Sequence, residues 1–184
     1  MVTKYINHYP EATKNQVIAL IEQNKLGNYL KNKYKNQHSY KSDKTLFGYV
    51  NNLKNEYMKK SNPLSKVLYD GKMDVINSAL GTHHFISRVQ GAKLKAKNEI
   101  RIASMFKTLP EEFLEMITVH ELAHFKEKEH NKAFYKLCIY MQPSYHQVEF
   151  DLRLYLTHLE LYPSWTFLEI WFKETLKGVK ILLL

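Results

Sequence analysis

Apolar residues recur at two different periods along this chain, and the switches between them divide it into three regions. From residue 11 to about 35, Val17, Ile18 and Ile21 and then Tyr29 and Leu30 fall at helical spacings, with Gly27 as a point of interruption. A second helix is capped by Asp43 and shows Leu46, Phe47, Val50, Leu53 and Tyr57 on one face until Ser61-Asn62-Pro63 stops it. Between 64 and 104 the period drops to two. Val67 and Tyr69 alternate, Asp70-Gly71 signals a hairpin, and Met73, Val75 and Ile76 follow. Phe85 to Val89 and Glu99 to Ala103 form a further pair around Gln90-Gly91. The pattern predicts a small, mostly antiparallel sheet of three to four strands.

Helical spacing then returns. Thr108 reads as an N-cap, with Pro110 in the first turn and Glu111 as its capping-box partner. Phe113, Ile117, His120, Glu121 and His124 recur along this helix three and four apart, and Lys126-Glu127-Lys128-Glu129 supplies a polar last turn. A break near Glu129 and His130 precedes Asn131, the cap of a helix bearing Phe134, Leu137, Cys138 and Met141. Pro143 breaks the chain again. Ser144 and Gln147 form another capping box, and Val148, Leu152, Tyr155 and Leu159 line the helix that follows. The expected fold class is α+β, with the sheet packed against helices, the helix that bears His120, Glu121 and His124 as the active-site helix, and helical N- and C-terminal regions. One domain is expected over 1–160, made of a helical N-terminal region at 1–62, a sheet at 64–104 and helices at 108–160, with an apolar tail at 161–184. In the tail, Trp165, Phe167, Ile170, Trp171 and Phe172 are interrupted by Glu169, Lys173, Glu174, Lys177 and Lys180, so it makes no membrane span and is expected to pack.

The chemistry concentrates on the helix after Pro110. His120 and His124 stand four apart, so their imidazoles project from one helical face as two ligands for a tetrahedral zinc ion. Glu121 is beside them and suits a general base acting on water. In a straight helix a residue six beyond His124 points about 240° around the axis from it. A break before His130 would turn the chain back and make His130 the third ligand. His146, Glu149 and Asp151 compete as ligand or as the carboxylate or imidazole that orients one. The plain alternative is a helix with ordinary surface histidines, against which three His, a neighbouring Glu and capping signals coincide.

Charge adds a second theme. The net charge of +9 favours anionic partners such as nucleotides, nucleic acid or acidic peptides. Lysines between 31 and 44 and between 54 and 66 read as solvated helix faces. Arg88, Lys93, Lys95 and Lys97 are the exception of interest, because the three lysines alternate and would share one face of a strand. They read either as a phosphate clamp or, more plainly, as a solvated edge that discourages aggregation. Arg88, Lys93, Lys95, Tyr145 and His146 are the candidate substrate contacts, and Tyr145, His146 and Arg153 the candidate oxyanion donors. His83 and His84 read as structural. The single cysteine, Cys138, excludes an internal disulfide and reads as a buried thiol. The first residues lack an apolar secretion signal, so a cytoplasmic protein is expected.

These residues resemble the YgjP-like family of metal-dependent hydrolases, related to small gluzincins and SprT-like metallopeptidases. The resemblance is carried by Val119 through Tyr135, Tyr145-His146 and Asp151 through Tyr155. It implies that His120, His124 and His130 are zinc ligands and Glu121 the catalytic glutamate. Where many relatives carry Arg-Trp-Gly-Ser-Cys, this chain has Arg88-Val89-Gln90-Gly91-Ala92, which keeps the Arg and Gly only. The tail after Leu161 matches nothing in the family.

The expected function is a zinc-dependent metallohydrolase with one zinc ion per chain, foremost a metallopeptidase whose sheet edge would bind an extended peptide. The rival enzyme is a nucleoside triphosphate pyrophosphatase in which the basic strand clamps phosphates. A third reading is a zinc-stabilised nucleic-acid-binding module, which would need a closed fourth coordination position and no Glu121.

Overall fold

The computed structural model describes residues 4–73, 81–90 and 93–163, and for 81–90 and 93–97 the course of the backbone alone. The chain forms two compact units, one of residues 1–36 and 147–184, the other of 37–146. Among the described residues no helix is long and apolar enough to cross a membrane. Val75, Ile76 and the expected tail from 164 onward lie outside the described residues.

The first unit holds helices α1 (Glu11–Glu22) and α2 (Leu26–Lys33) and most of a later helix, α6 (Tyr145–Leu161). The single long helix expected from 11 to 35 is broken, but not at Gly27. Asn24 turns the chain with φ of 54°, a left-handed conformation its short polar side chain tolerates. Gly27 stays helical, and a Cβ there would come within 3.1 Å of the His158 ring. Val17, Leu26, Leu30, Val148 and Leu152 are buried. Within the same unit sits the fully buried carboxylate of Asp151.

The second unit begins with α3 (Asp43–Tyr57). Its cap is Ser42, which exchanges a capping box with Thr45; Asp43 is the first helical residue instead, and its carboxylate accepts the Tyr69 N–H at 2.9 Å. Strands β1 (Leu64–Asp70), β2 (Gly81–Gln90) and β3 (Lys93–Ala103) follow, in the spatial order β1-β3-β2. β1 runs parallel to β3, with Val67 opposite Ile100 and Tyr69 opposite Ile102. β2 runs antiparallel to β3 on its other edge.

The expected mostly antiparallel sheet of three to four strands is thereby corrected. Helix dominates the described chain, and the pairing of β1 with β3, which carries the buried Val67, Tyr69, Ile100 and Ile102, is parallel. Asp70-Gly71 does turn, with the Lys72 N–H held by the Asp70 carboxylate at 2.9 Å. The next described strand, β2, is however not the partner of β1: both pair with β3, one on each of its edges. Alternation in a sequence reports that a segment is extended; it carries no information on which neighbour it pairs with or in which direction.

From β3 the chain passes through a 3-10 turn at Ser104–Thr108 into α4 (Glu111–Ala123), then α5 (Lys132–Met141). Thr108 does not cap α4. Its hydroxyl closes the preceding 3-10 turn on the Met105 carbonyl at 3.1 Å, and Pro110 occupies the N-cap position without a side-chain bond. Phe106, Leu109, Phe113, Ile117 and Phe134 are buried along this path, as is the thiol of Cys138. α4 lies beside both β2 and β3.

Candidate metal centre

α4 ends at Ala123, well before the polar run that the sequence predicts as its last turn. His124 is its C-cap, and the hydrogen-bond ladder tightens there: Phe125 N–H donates to Leu122 and Lys126 N–H to Ala123, both at 3.0 Å. The stop therefore needs neither Gly nor Pro. Lys126 to Glu129 form a turn and bend, Asn131 accepts the Phe134 N–H at 2.9 Å as the cap of α5, and His130 is carried back toward α4.

The result is a convergence of three imidazoles. Nε2 of His130 lies 3.2 Å from Nε2 of His120 and 3.2 Å from Nε2 of His124. One proton can be shared by one such pair, and the remaining nitrogen lone pair would then face its neighbours unscreened. A cation among them removes the conflict. A tetrahedral ion with Zn–N bonds of about 2.0–2.1 Å spaces its ligand atoms about 3.3–3.4 Å apart, close to this arrangement. The three side chains are fit to hold a metal ion, with ligand atoms all within 4.8 Å of one another. Among the described residues no fourth His, Cys, Asp or Glu joins them. His130 is exposed and the other two half-buried, so one side of the cluster faces solvent.

Each half-buried imidazole is anchored through its other nitrogen. His124 Nδ1 lies 3.0 Å from the Glu127 carbonyl, and a carbonyl can only accept, so the proton is on Nδ1 and Nε2 is free to bind a metal. Burial, as the leading cause, holds the His124 imidazole below its ordinary range, which favours the neutral, ligating form. His120 Nδ1 lies 2.7 Å from the Tyr145 hydroxyl. Against all three rings packs Phe134, completely buried, with ring centroids 4.9, 4.7 and 4.7 Å from those of His120, His124 and His130. Asn131 thus has a function beyond capping: it starts the helix that sets this apolar floor.

Glu121 is 2% exposed. Burial pushes its carboxyl up to about 8, and among the described residues no cation pairs with it. A dication held by the imidazoles would draw the value back down by Coulomb attraction.

The other sequence candidates have distinct places. Tyr145 is completely buried, and His146 is exposed with its ring 5.3 Å from that of Tyr135. Glu149 is engaged by Arg153 at 2.8 Å. Asp151 is engaged by Tyr29, Lys33, Tyr34 and Gln147. Neither carboxylate enters the histidine cluster. Arg88 stands opposite Lys95 and Gln90 opposite Lys93 in the β2–β3 register; the side chains of Arg88, Lys93, Lys95, Lys97, His83 and His84 lie outside the described residues. Sequence reasoning misses the Phe134 floor, which reads only as core, and the Glu127 carbonyl, which no side-chain pattern announces.

A model of the YgjP-like metallopeptidase domain matches residues 90–155. The UTP pyrophosphatase of Escherichia coli (strain K12) is 54% identical over 157 residues, which cover 85% of this chain and 94% of that protein. No solved structure matches the chain. By its metallopeptidase-type domain and by this extended identity, the chain belongs to the YgjP-like family.

Proposed function

We propose that the protein is a zinc-dependent hydrolase of nucleoside triphosphates that releases pyrophosphate. The observation that carries the substrate class is 54% identity across 94% of a relative named as a UTP pyrophosphatase. The histidine cluster and Glu121 support the hydrolytic chemistry. His120, His124 and His130 would hold the metal through Nε2. Zinc, when bound, supplies Lewis acidity that acidifies water to a pKa of about 7. Glu121 takes the proton from the attacking water, and its burial keeps the carboxyl basic enough to do so. Arg88, Lys93 and Lys95 are the proposed phosphate contacts, supported by a β2–β3 register that brings their backbone positions together. Exposed His146 is a further substrate contact on the same reading.

A second reading, a zinc metallopeptidase, is favoured by the metallopeptidase-type domain match over 90–155. Turnover of zinc-reconstituted protein on the four nucleoside triphosphates and on an unstructured peptide library separates the two. Pyrophosphate release, fastest with UTP, is expected, with a raised KM when Lys93, Lys95 and Lys97 are replaced together. Peptide cleavage without pyrophosphate release would overturn the nucleotide reading and leave the peptidase one.

A further inference from the structure

We infer that Tyr145 is a positioning residue of the metal centre, acting through His120 and making no contact with substrate. The inference rests on the reading that the three histidines hold a metal ion. Tyr145 has no exposed surface, so its hydroxyl is out of reach of a substrate arriving from solvent. That hydroxyl lies 2.7 Å from Nδ1 of His120, and the two rings run nearly parallel, 16° apart.

The two half-buried ligands are anchored differently. The Glu127 carbonyl forces one tautomer on His124, because it can only accept. A phenol both donates and accepts, so Tyr145 serves His120 in either tautomer. With Nε2 bound to a cation, Nδ1 must carry the proton and donate it to the phenol oxygen; without one, the phenol O–H can donate to Nδ1 instead. Tyr145 therefore orients the ring in both states and stabilises the ligating tautomer when metal arrives. Its own position is secured as the first residue of α6, where its N–H donates to the Gln142 carbonyl at 2.9 Å.

The test is Tyr145→Phe, which keeps the ring and removes the hydroxyl. Zinc affinity, measured by competition with a chromogenic chelator, is expected to fall about 10–100-fold. At saturating zinc the KM for substrate is expected to stay at the wild-type value. Nitrogen-15 NMR of the zinc-loaded wild type should show a protected His120 Nδ1 proton that the variant loses. Tyr145→Gln, which restores a hydrogen-bonding tip, should recover part of the affinity. Wild-type zinc affinity and an unchanged Nδ1 proton in Tyr145→Phe would overturn the inference. If that variant does not fold, the wild-type spectrum decides alone, and an unprotected or absent Nδ1 proton overturns it. Wild-type zinc affinity in His120→Ala and in His124→Ala would instead overturn the metal-site reading itself.

Discussion

Asp151 and Glu121 are both buried carboxylates on helices, and the protein treats them in opposite ways. Asp151, in the first unit, accepts from the Tyr34 hydroxyl and the Lys33 ammonium at 2.6 Å each, and from the Tyr29 hydroxyl and Gln147 amide at 3.2 Å each. Its desolvation is offset by four donors, one of them charged. Glu121, in the second unit, is buried to a similar degree with no cation to match it among the described residues, and burial alone moves its proton affinity toward neutrality. A fully satisfied carboxylate fixes local structure. A carboxylate left without a matching charge costs stability and is available for proton transfer. Burial by itself therefore says little about role; the set of donors around the group decides it.

The largest effect should come from Glu121→Gln in the zinc-loaded protein. Turnover is expected to fall about 10²–10⁴-fold with metal content unchanged. Steady-state rates and metal analysis check it, and an unchanged rate would remove Glu121 from the mechanism. Asp151→Ala leaves Lys33 and two hydroxyls facing an apolar gap. A broken buried pair costs about 3–5 kcal/mol, and the low end applies here because Lys33 is 36% exposed. Denaturant titration should show that loss; a loss under about 1 kcal/mol would mean water replaces the carboxylate. Tyr34→Phe removes one donor from the same group and is expected to cost about 1–2 kcal/mol, with Tyr29→Phe costing less.

The sign should reverse at the other carboxylate. In metal-free protein Glu121→Gln is expected to raise stability by about 1 kcal/mol, as relief of a destabilised functional site often does, whereas Asp151→Asn lowers it. Two changes of the same sign would break the contrast. Glu115 is the intermediate case, with burial first and the charge of Glu111 next raising its carboxyl above the ordinary value, while the Gln142 amide at 3.3 Å opposes them. A carboxyl whose proton is held more tightly in the folded state makes stability fall as pH rises from 4.5 through the raised value. Glu115→Gln should thus leave the melting temperature unchanged near pH 4 and raise it slightly at pH 7. A uniform shift across that range would point to packing instead of charge.

The histidine cluster is legible in the sequence because its information is local. Four-residue spacing puts His120 and His124 on one face whatever the rest of the chain does, and Asn131 announces a new helix within reach of His130. The end of α4 is not legible at the right residue, since tightened backbone bonds stop it where no Gly or Pro stands. Asp151 reads as a competing ligand because a lone acidic residue near a metal motif looks like one. Its donors Tyr29, Lys33 and Tyr34 lie more than a hundred residues away, and no spacing rule connects them. Strand positions are likewise readable for β1 and β3, but their parallel pairing is not.

What the sequence by itself determined is which regions are helical and which extended, though not where each helix ends, that two histidines and a glutamate share a turn, and that the chain is basic. Only tertiary structure decided which strands pair, what anchors each imidazole, and which buried carboxylate is satisfied. The physical reason is range. Helical periodicity and capping act over three or four residues and are written in adjacent letters. Strand direction, donor sets and burial depend on groups that meet only after the chain has folded.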